Sequence, residues 1–198
     1  MKQSLLLAGV CALSLMVSAA VETGKPAPDF TLTDINGTEH SLSDFKGKTV
    51  VLEWTNYDCP FVKKHYGAGN MQALQKKYTD QGVIWLSICS SAPGKQGHFT
   101  TEEWLKRSQE AQALGTAILV DADGKTGKLY GAKTTPHLFV IDTAGTIAYQ
   151  GAIDDQRSWD PKTIKGAKNY VAAALDALLA GKPVAEKETQ PYGCSVKY

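Results

Sequence analysis

The sequence lacks an excess of charge of either sign. Its 198 residues carry 21 Lys and Arg against 20 Asp and Glu. Nucleic-acid-binding domains usually show a basic excess, so no nucleic-acid partner is expected. Cysteine is also scarce, because four in a chain of this length are too few for a small scaffold held together by disulfides. The chain is long enough to bury a core without such cross-links.

Long apolar runs are absent except near the N-terminus. The run from Leu5 to Val17 follows Lys2 and precedes Ser18-Ala19-Ala20, and it is shorter than the roughly 20 residues that cross a bilayer. This pattern is typical of a cleaved secretory signal. A lipoprotein anchor at Cys11 is the alternative, which the preceding Val10 disfavours. We therefore expect residues 1–20 to be a signal peptide, and the mature protein to be exported to the periplasm or outside, with no membrane span.

The rest of the chain alternates strand and helix patterns. A hairpin with Asn36-Gly37 at its turn comes first, and helices are predicted over Pro60–Tyr78, with a break near Gly67 and Gly69, over Thr101–Leu114, and over Lys162–Leu179. Strands are predicted between these helices, with a short helix at Thr126–Tyr130 and a closing hairpin through residues 138–150. Alternation of this kind predicts an α/β fold with a mixed central sheet flanked by helices. One domain over residues 21–181 and a C-terminal tail over residues 182–198 are expected.

Cys59 is the residue that the sequence singles out. It follows a buried-type strand that ends at Trp54, and Pro60 behind it marks the first turn of a helix. Unpaired N–H groups and the helix dipole favour a thiolate there, and Lys63 is placed over the same helical face. The neighbouring carboxylate of Asp58 disfavours a thiolate. The sequence therefore leaves the direction of the Cys59 pKa shift open, and a lowered pKa is the preferred expectation.

The other mature cysteines differ in their surroundings. Cys89 ends a strongly apolar run and is best explained by packing. Cys194 lies in the tail, and a free exposed thiol is a liability in an exported protein, so pairing is predicted. Cys59 is the preferred partner and Cys89 the alternative. The 135 intervening positions cost little, because closure entropy grows only with the logarithm of loop length.

Further candidate residues lie near a predicted strand start and near Cys59. Thr135-Pro136 opens a strand, where a proline is tolerated and can carry a cis bond. His137 follows it, and Asn56 precedes Cys59; each is a candidate supporting residue, Asn56 by bonding either local backbone or a substrate. The four histidines show no metal-ligand spacing, so no metal and no cofactor are predicted.

These residues together resemble the thioredoxin-fold redoxins of the alkyl hydroperoxide reductase and thiol-specific antioxidant (AhpC/TSA) family. The resemblance is carried by Gly24-Lys25-Pro26-Ala27-Pro28-Asp29-Phe30, by the strand leading into Cys59-Pro60, and by Thr135-Pro136. Residues 149–155 resemble a segment of exported members with a Cys-Pro-Phe-Val-Lys-type site. The resemblance implies a thioredoxin-like fold with an N-terminal hairpin extension, and a cis Pro136 that faces Cys59.

The sequence departs from both catalytic signatures of these relatives. Val62 stands where a Cys-x-x-Cys motif has its second cysteine. The peroxiredoxin motif Pro-x-x-x-Thr-x-x-Cys is matched only at its end, because Val51 replaces the proline and Asn56 the threonine. A Cys59–Cys194 pair would resemble peroxiredoxins that resolve through a distant C-terminal cysteine.

Three functions remain open from the sequence. The preferred one is an exported thiol-disulfide redox protein that uses Cys59 as reactive thiolate and Cys194 as resolving cysteine. The second is an antioxidant thiol peroxidase acting through a Cys59 sulfenic acid. The third is a thioredoxin-fold binding module without turnover. The expected partners are protein thiols and disulfides or a peroxide, together with a thiol electron donor whose identity the sequence does not give.

Overall fold

The computed structural model describes residues 21–198, so the predicted signal segment lies outside the described residues. A mixed sheet carries the fold, with strands in the order β2-β1-β5-β4-β3-β7-β8. The strands are β1 (Thr31–Asp34), β2 (Glu39–Ser41), β3 (Val50–Trp54), β4 (Ile84–Cys89), β5 (Ala117–Val120), β6 (Thr134–Thr135), β7 (His137–Ile141), β8 (Ile147–Gly151) and β9 (Cys194–Ser195). The helices are α1 (Pro60–Gly67), α2 (Asn70–Thr79), α3 (Thr101–Glu110), α4 (Lys125–Tyr130) and α5 (Tyr170–Leu179).

The centre of the sheet is parallel and its outer part is antiparallel. β3 pairs in parallel with β4, and β4 with β5, whereas β7 runs antiparallel to β3. The hairpin β1–β2 joins the sheet through β5. The mixed sheet and the N-terminal hairpin confirm the prediction from the sequence pattern, and the arrangement is the thioredoxin-like fold that the family resemblance implies.

The core has two halves because side chains of β3 alternate between the faces of the sheet. Val51 faces the half built with α1, α2, α3 and α5, where Tyr66, Met71 and Leu175 are buried. Trp54 faces the half built with α4, where Tyr130 and Phe139 are buried. Helices therefore cover both faces, and the carboxyl end of β3 leads directly into the start of α1.

Two helix predictions need correction. The helix predicted over Lys162–Leu179 begins only at Tyr170, after a 3-10 turn over Pro161–Ile164, because Gly166 adopts a φ of +86° and Asn169 caps the next helix. The helix predicted to reach Leu114 ends at Glu110, and Gln112 turns the chain with a φ of +50°. The break predicted near Gly67 and Gly69 is confirmed, since α1 and α2 are separate helices.

Residues 182–198 lie along the domain. The backbone N–H of Gln150 donates to the carbonyl of Lys187, β9 pairs antiparallel with β6, and the backbone N–H of Ala92 donates to the carbonyl of Lys197. The sequence shows no periodicity here, and β9 is not predicted. Among the described residues, no helix combines the length and apolar character needed to cross a membrane.

Candidate thiol redox site

Cys59 is the N-cap residue of α1, and Pro60 occupies the first helical position as predicted. A tight turn leads to it, in which the Cys59 N–H donates to the carbonyl of Asn56 over 2.9 Å. The Asn56 side chain accepts from the Asp58 N–H at 2.9 Å and donates to the carbonyl of Gln96 at 3.2 Å. Of the two roles considered for Asn56, the structure shows the bond to backbone.

The carboxylate of Asp58 is less unfavourable to a thiolate than the sequence alone indicates. It accepts a hydrogen bond from Arg107 Nη1 at 2.8 Å, and both side chains are partly buried. Arg107 lies on α3, so its charge offsets that of Asp58 from a distant part of the sequence. Lys63, by contrast, is exposed on α1.

The loop before β7 closes over Cys59 from the other side. The Thr135–Pro136 peptide bond is cis, as the family resemblance implies. The Cys59 thiol donates to the carbonyl of Thr135, with sulfur and oxygen 3.0 Å apart. The Thr135 hydroxyl is buried and has no hydrogen-bond partner. This hydroxyl is therefore available to a negative charge on the neighbouring sulfur.

The tail places Cys194 beside Cys59. In the β6–β9 ladder Cys194 is the direct partner of Thr135. Gly193 lies so close to β6 that a Cβ on it would be 2.1 Å from the Thr135 carbonyl oxygen, so only glycine fits there. With the tail in place, Cys59 has no exposed surface.

The two sulfurs shift each other's acidity. Burial raises the pKa of Cys59, but the Cys194 thiol, the Thr135 hydroxyl and the Val62 N–H can each donate to a thiolate at this position, and together they outweigh burial, so the pKa lies below its ordinary value. Burial, together with the hydrogen bond to the Cys59 sulfur and its charge, raises the pKa of Cys194 to about 12. Cys59 is thus the acidic partner of the pair and Cys194 the proton-holding one.

The recorded hydrogen bonds of His137 and Cys89 go to groups other than the two sulfurs. His137 is buried on β7, where its Nδ1 accepts from the Lys133 N–H at 3.3 Å and its ring packs 4.5 Å from that of Phe139. Burial and the Lys133 charge lower the pKa of His137 to about 3, so it is neutral. Cys89 is buried at the end of β4 and contacts Ser91 and the Gly97 carbonyl, and burial raises its pKa. No cluster of three His, Cys, Asp or Glu within residues 21–198 is arranged to hold a metal ion.

The sequence does not predict two buried polar features, the single residue Glu53 and a cluster of four side chains. Glu53 lies inside β3, where it accepts from Trp85 Nε1 at 2.8 Å and Ser87 Oγ at 3.1 Å, and burial raises its pKa. The second group, which we name the anchor cluster, joins α1, the loop after β8 and the tail; it consists of Lys64, His65, Asp154 and Tyr192. A charged residue inside an apolar strand would have signalled Glu53. The anchor cluster has no comparable local signal.

Comparison with known proteins decides the family. The model of the AhpC/TSA family matches residues 23–150, about two thirds of the chain. The chain belongs to the AhpC/TSA family. The matched region of this AhpC/TSA protein contains β1 through β7, all of β8 except its last residue, and Cys59, whereas Cys194 lies beyond it.

Several proteins similar to this AhpC/TSA chain carry the names of thiol-disulfide redox proteins. The thiol-disulfide oxidoreductase ResA of Geobacillus kaustophilus is 31% identical over 65% of this chain and 68% of its own length. Among solved structures, a hypothetical protein from Sinorhizobium meliloti superposes with a TM-score of 0.78 at 27% identity, covering 91% of this chain and 96% of that one. A putative thiol:disulfide interchange protein DsbE from Chlorobium tepidum gives 0.58 at 26% identity, over 79% and 99% of the two chains.

Proposed function

We propose that this protein is an exported thiol-disulfide oxidoreductase in which Cys59 is the reactive thiolate and Cys194 the resolving cysteine. The observation that carries the proposal is the β6–β9 ladder, which holds Cys194 opposite Thr135 and against the Cys59 sulfur. The relatives named as thiol-disulfide oxidoreductases support the same class of reaction. Val62 occupies the position on α1 where a Cys-x-x-Cys motif has its second cysteine, and in this proposal the tail supplies that cysteine as Cys194.

The reaction runs in two thiol-disulfide exchanges. The Cys59 thiolate attacks one sulfur of a partner disulfide, so that a Cys59–partner bond forms, the partner's S–S bond breaks, and its second sulfur leaves as a thiolate. Cys194 then gives up its proton and attacks Cys59, which forms the Cys59–Cys194 disulfide and releases the first partner sulfur as a thiolate. The partner is reduced by two electrons and this protein is oxidised by two. A dithiol donor reverses both steps to restore the thiols.

The acidities set the order of the two cysteines. In the reduced protein the charge and hydrogen bonding of Cys59 help to keep Cys194 protonated. Once Cys59 is bound in a mixed disulfide it carries no charge, and only burial still opposes ionisation of Cys194. The Cys194 thiol therefore ionises more readily, and becomes a better nucleophile, only after Cys59 has reacted.

The remaining features of the proposal follow from the same chemistry. The Thr135 carbonyl accepts from the Cys59 thiol and Pro136 follows across a cis bond. Pro60 begins the helix that Cys59 caps, and Lys63 is an exposed cation on that helix. Exchange between thiols and disulfides needs no cofactor. The substrate is a protein thiol or disulfide, residues 1–20 act as the export signal, and residues 182–198 form the tail that completes the domain of residues 21–181.

The experiment uses the mature chain in a glutathione redox buffer. We expect a Cys59–Cys194 disulfide in peptide maps made without reducing agent, with Cys89 free. Cys194→Ser should stop at a stable Cys59–glutathione adduct, and Cys89→Ser, the matched control, should behave as wild type. A Cys59–Cys89 disulfide, or loss of exchange in Cys89→Ser alone, would refute the assignment. Rapid oxidation of Cys59 by hydrogen peroxide, far above the rate of free cysteine, would instead assign a thiol peroxidase.

A further inference from the structure

Tyr192 lies two residues before Cys194, and its side chain is almost fully buried. Its ring packs edge-on against Phe61 with centroids 5.8 Å apart, and its hydroxyl donates to the carboxylate of Asp154. His65 Nε2 is 3.4 Å from the same hydroxyl oxygen. Burial and the Asp154 carboxylate raise the pKa of Tyr192, so the hydroxyl keeps its proton and acts as the donor.

Asp154 is itself tied to the helix that begins at Cys59. Its second carboxylate oxygen is 3.7 Å from Lys64 Nζ, and both side chains are buried. Lys64 also donates to the Gln156 carbonyl at 2.9 Å. Through the anchor cluster, in which Asp154 contacts both Tyr192 and Lys64, the tail segment that carries Cys194 is attached to the helix that Cys59 caps.

The geometry points to Tyr192 as the positioning residue that holds Cys194 against Cys59 and keeps the Cys59 sulfur covered. The inference rests on the proposed roles of the two cysteines and extends them to a residue that touches neither sulfur in the reaction. Because Cys59 has no exposed surface while the tail is docked, a partner reaches it only when the tail lifts. Tyr192 therefore sets how often the site opens as well as how closely Cys194 returns.

Loss of the Tyr192 hydroxyl should increase the fraction of molecules in which the tail is undocked. Hydrogen bonds to charged groups are stronger than those between neutral groups, so deleting the hydroxyl should raise the open population roughly tenfold to a hundredfold. The rate at which a reagent modifies a covered group is proportional to the open population when opening and closing are fast. The modification rate of Cys59 should rise by the same factor.

The test compares Tyr192→Phe with Tyr78→Phe in the reduced mature chain. Tyr78 is a matched control, because its hydroxyl also donates to a carboxylate, that of Asp176 at 2.9 Å, but this bond joins α2 to α5 and involves no residue of the tail. Iodoacetamide labelling is followed by mass spectrometry at Cys59 and Cys89 separately. Cys89 is buried in the sheet and reports global unfolding.

We expect Tyr192→Phe to label Cys59 at least tenfold faster than wild type, with Cys89 labelling unchanged, and Tyr78→Phe to stay within twofold at both sites. Tyr198→Phe, which removes a neutral bond to the Ala132 carbonyl at 2.8 Å beyond Cys194, should give a smaller rise. A Cys59 rate within twofold of wild type in Tyr192→Phe, or equal acceleration at Cys89, refutes the inference. Neither outcome affects the Cys59–Cys194 assignment, which fails only if the disulfide itself does not form.

Discussion

Replacing Gly193 by alanine should detach the tail while leaving the domain folded. The added Cβ would lie 2.1 Å from the Thr135 carbonyl oxygen, whereas Cβ atoms in proteins keep at least 3.0 Å from such atoms. The strands must therefore separate by about 1 Å, which takes the neighbouring bond from Val196 N to the Lys133 carbonyl, now 3.1 Å, out of hydrogen-bond range. Gly193 also has a φ of +138°, where a side chain costs roughly 1–3 kcal/mol.

The substitution should weaken the docking of the tail and leave the stability of the domain nearly unchanged, because β9 contributes only two residues and lies outside the main sheet. A loss of about 2 kcal/mol corresponds to roughly thirtyfold in an equilibrium constant. We therefore expect the effective concentration of Cys194 at Cys59, measured by equilibration with reduced and oxidised glutathione, to fall at least thirtyfold. The melting temperature of the reduced protein should change little.

Gly166→Ala supplies the control for backbone strain. Gly166 has a φ of +86°, but a Cβ there meets no atom within 4 Å. Gly166→Ala should lower stability by the same roughly 1–3 kcal/mol and leave the Cys59–Cys194 equilibrium unchanged. If Gly193→Ala keeps the wild-type effective concentration within threefold, the tail tolerates the displacement and the ladder does not position Cys194.

Other predictions concern stability, pH and the buried ion pair. Oxidation of Cys59 and Cys194 closes a loop of more than a hundred residues, so urea unfolding should show the oxidised form more stable by up to about 5 kcal/mol; equal stability would contradict a native pair. Because the folded-state pKa of Cys59 is lowered, the stabilisation from its ionisation should be complete above about pH 8.5 and disappear as the pH falls through the folded-state pKa. Fluorescence-monitored unfolding of reduced wild type and Cys59→Ser across pH would reveal this; parallel profiles would contradict it. Lys64→Met strands the buried charge of Asp154 and should cost about 3–5 kcal/mol, whereas Lys76→Met, which removes an exposed pair, should cost at most about 0.5 kcal/mol.

Local sequence signals account for most of the fold and for half of the site. Apolar alternation, the Asn36-Gly37 turn and the capping box at Thr100 each act over a few residues, and the corresponding elements are present. The position of Cys59 at a helix start is predicted from the strand that ends at Trp54 and from Pro60. The helix predicted from Lys162 starts late because Gly166 turns the chain with a φ of +86° and Asn169 caps the helix that follows, and hydrophobic periodicity detects neither feature.

The other half of the site depends on contacts between distant residues. Neither the pairing of Arg107 with Asp58 nor the burial of Lys64 against Asp154 has a signature in the neighbouring sequence. Tyr192-Gly193-Cys194 has the composition of a loop, and only the approach of Gly193 to β6 explains its glycine. Sequence reasoning therefore proposes Cys194 as a partner for Cys59, but the means by which the tail is held comes from the three-dimensional structure.

The separation between Cys59 and Cys194 along the chain has a consequence for folding. A large loop costs little more free energy to close than a moderate one, but contacts between residues so far apart form more slowly than local ones, because closure must precede the contacts that reward it. A nascent domain therefore passes through a stage in which Cys59 is already at its helix end while β9 has not arrived. Cys89 lies on β4, which pairs on both sides within the sheet, so it is sequestered as the sheet forms. The order of assembly removes the competing thiol before the correct one docks.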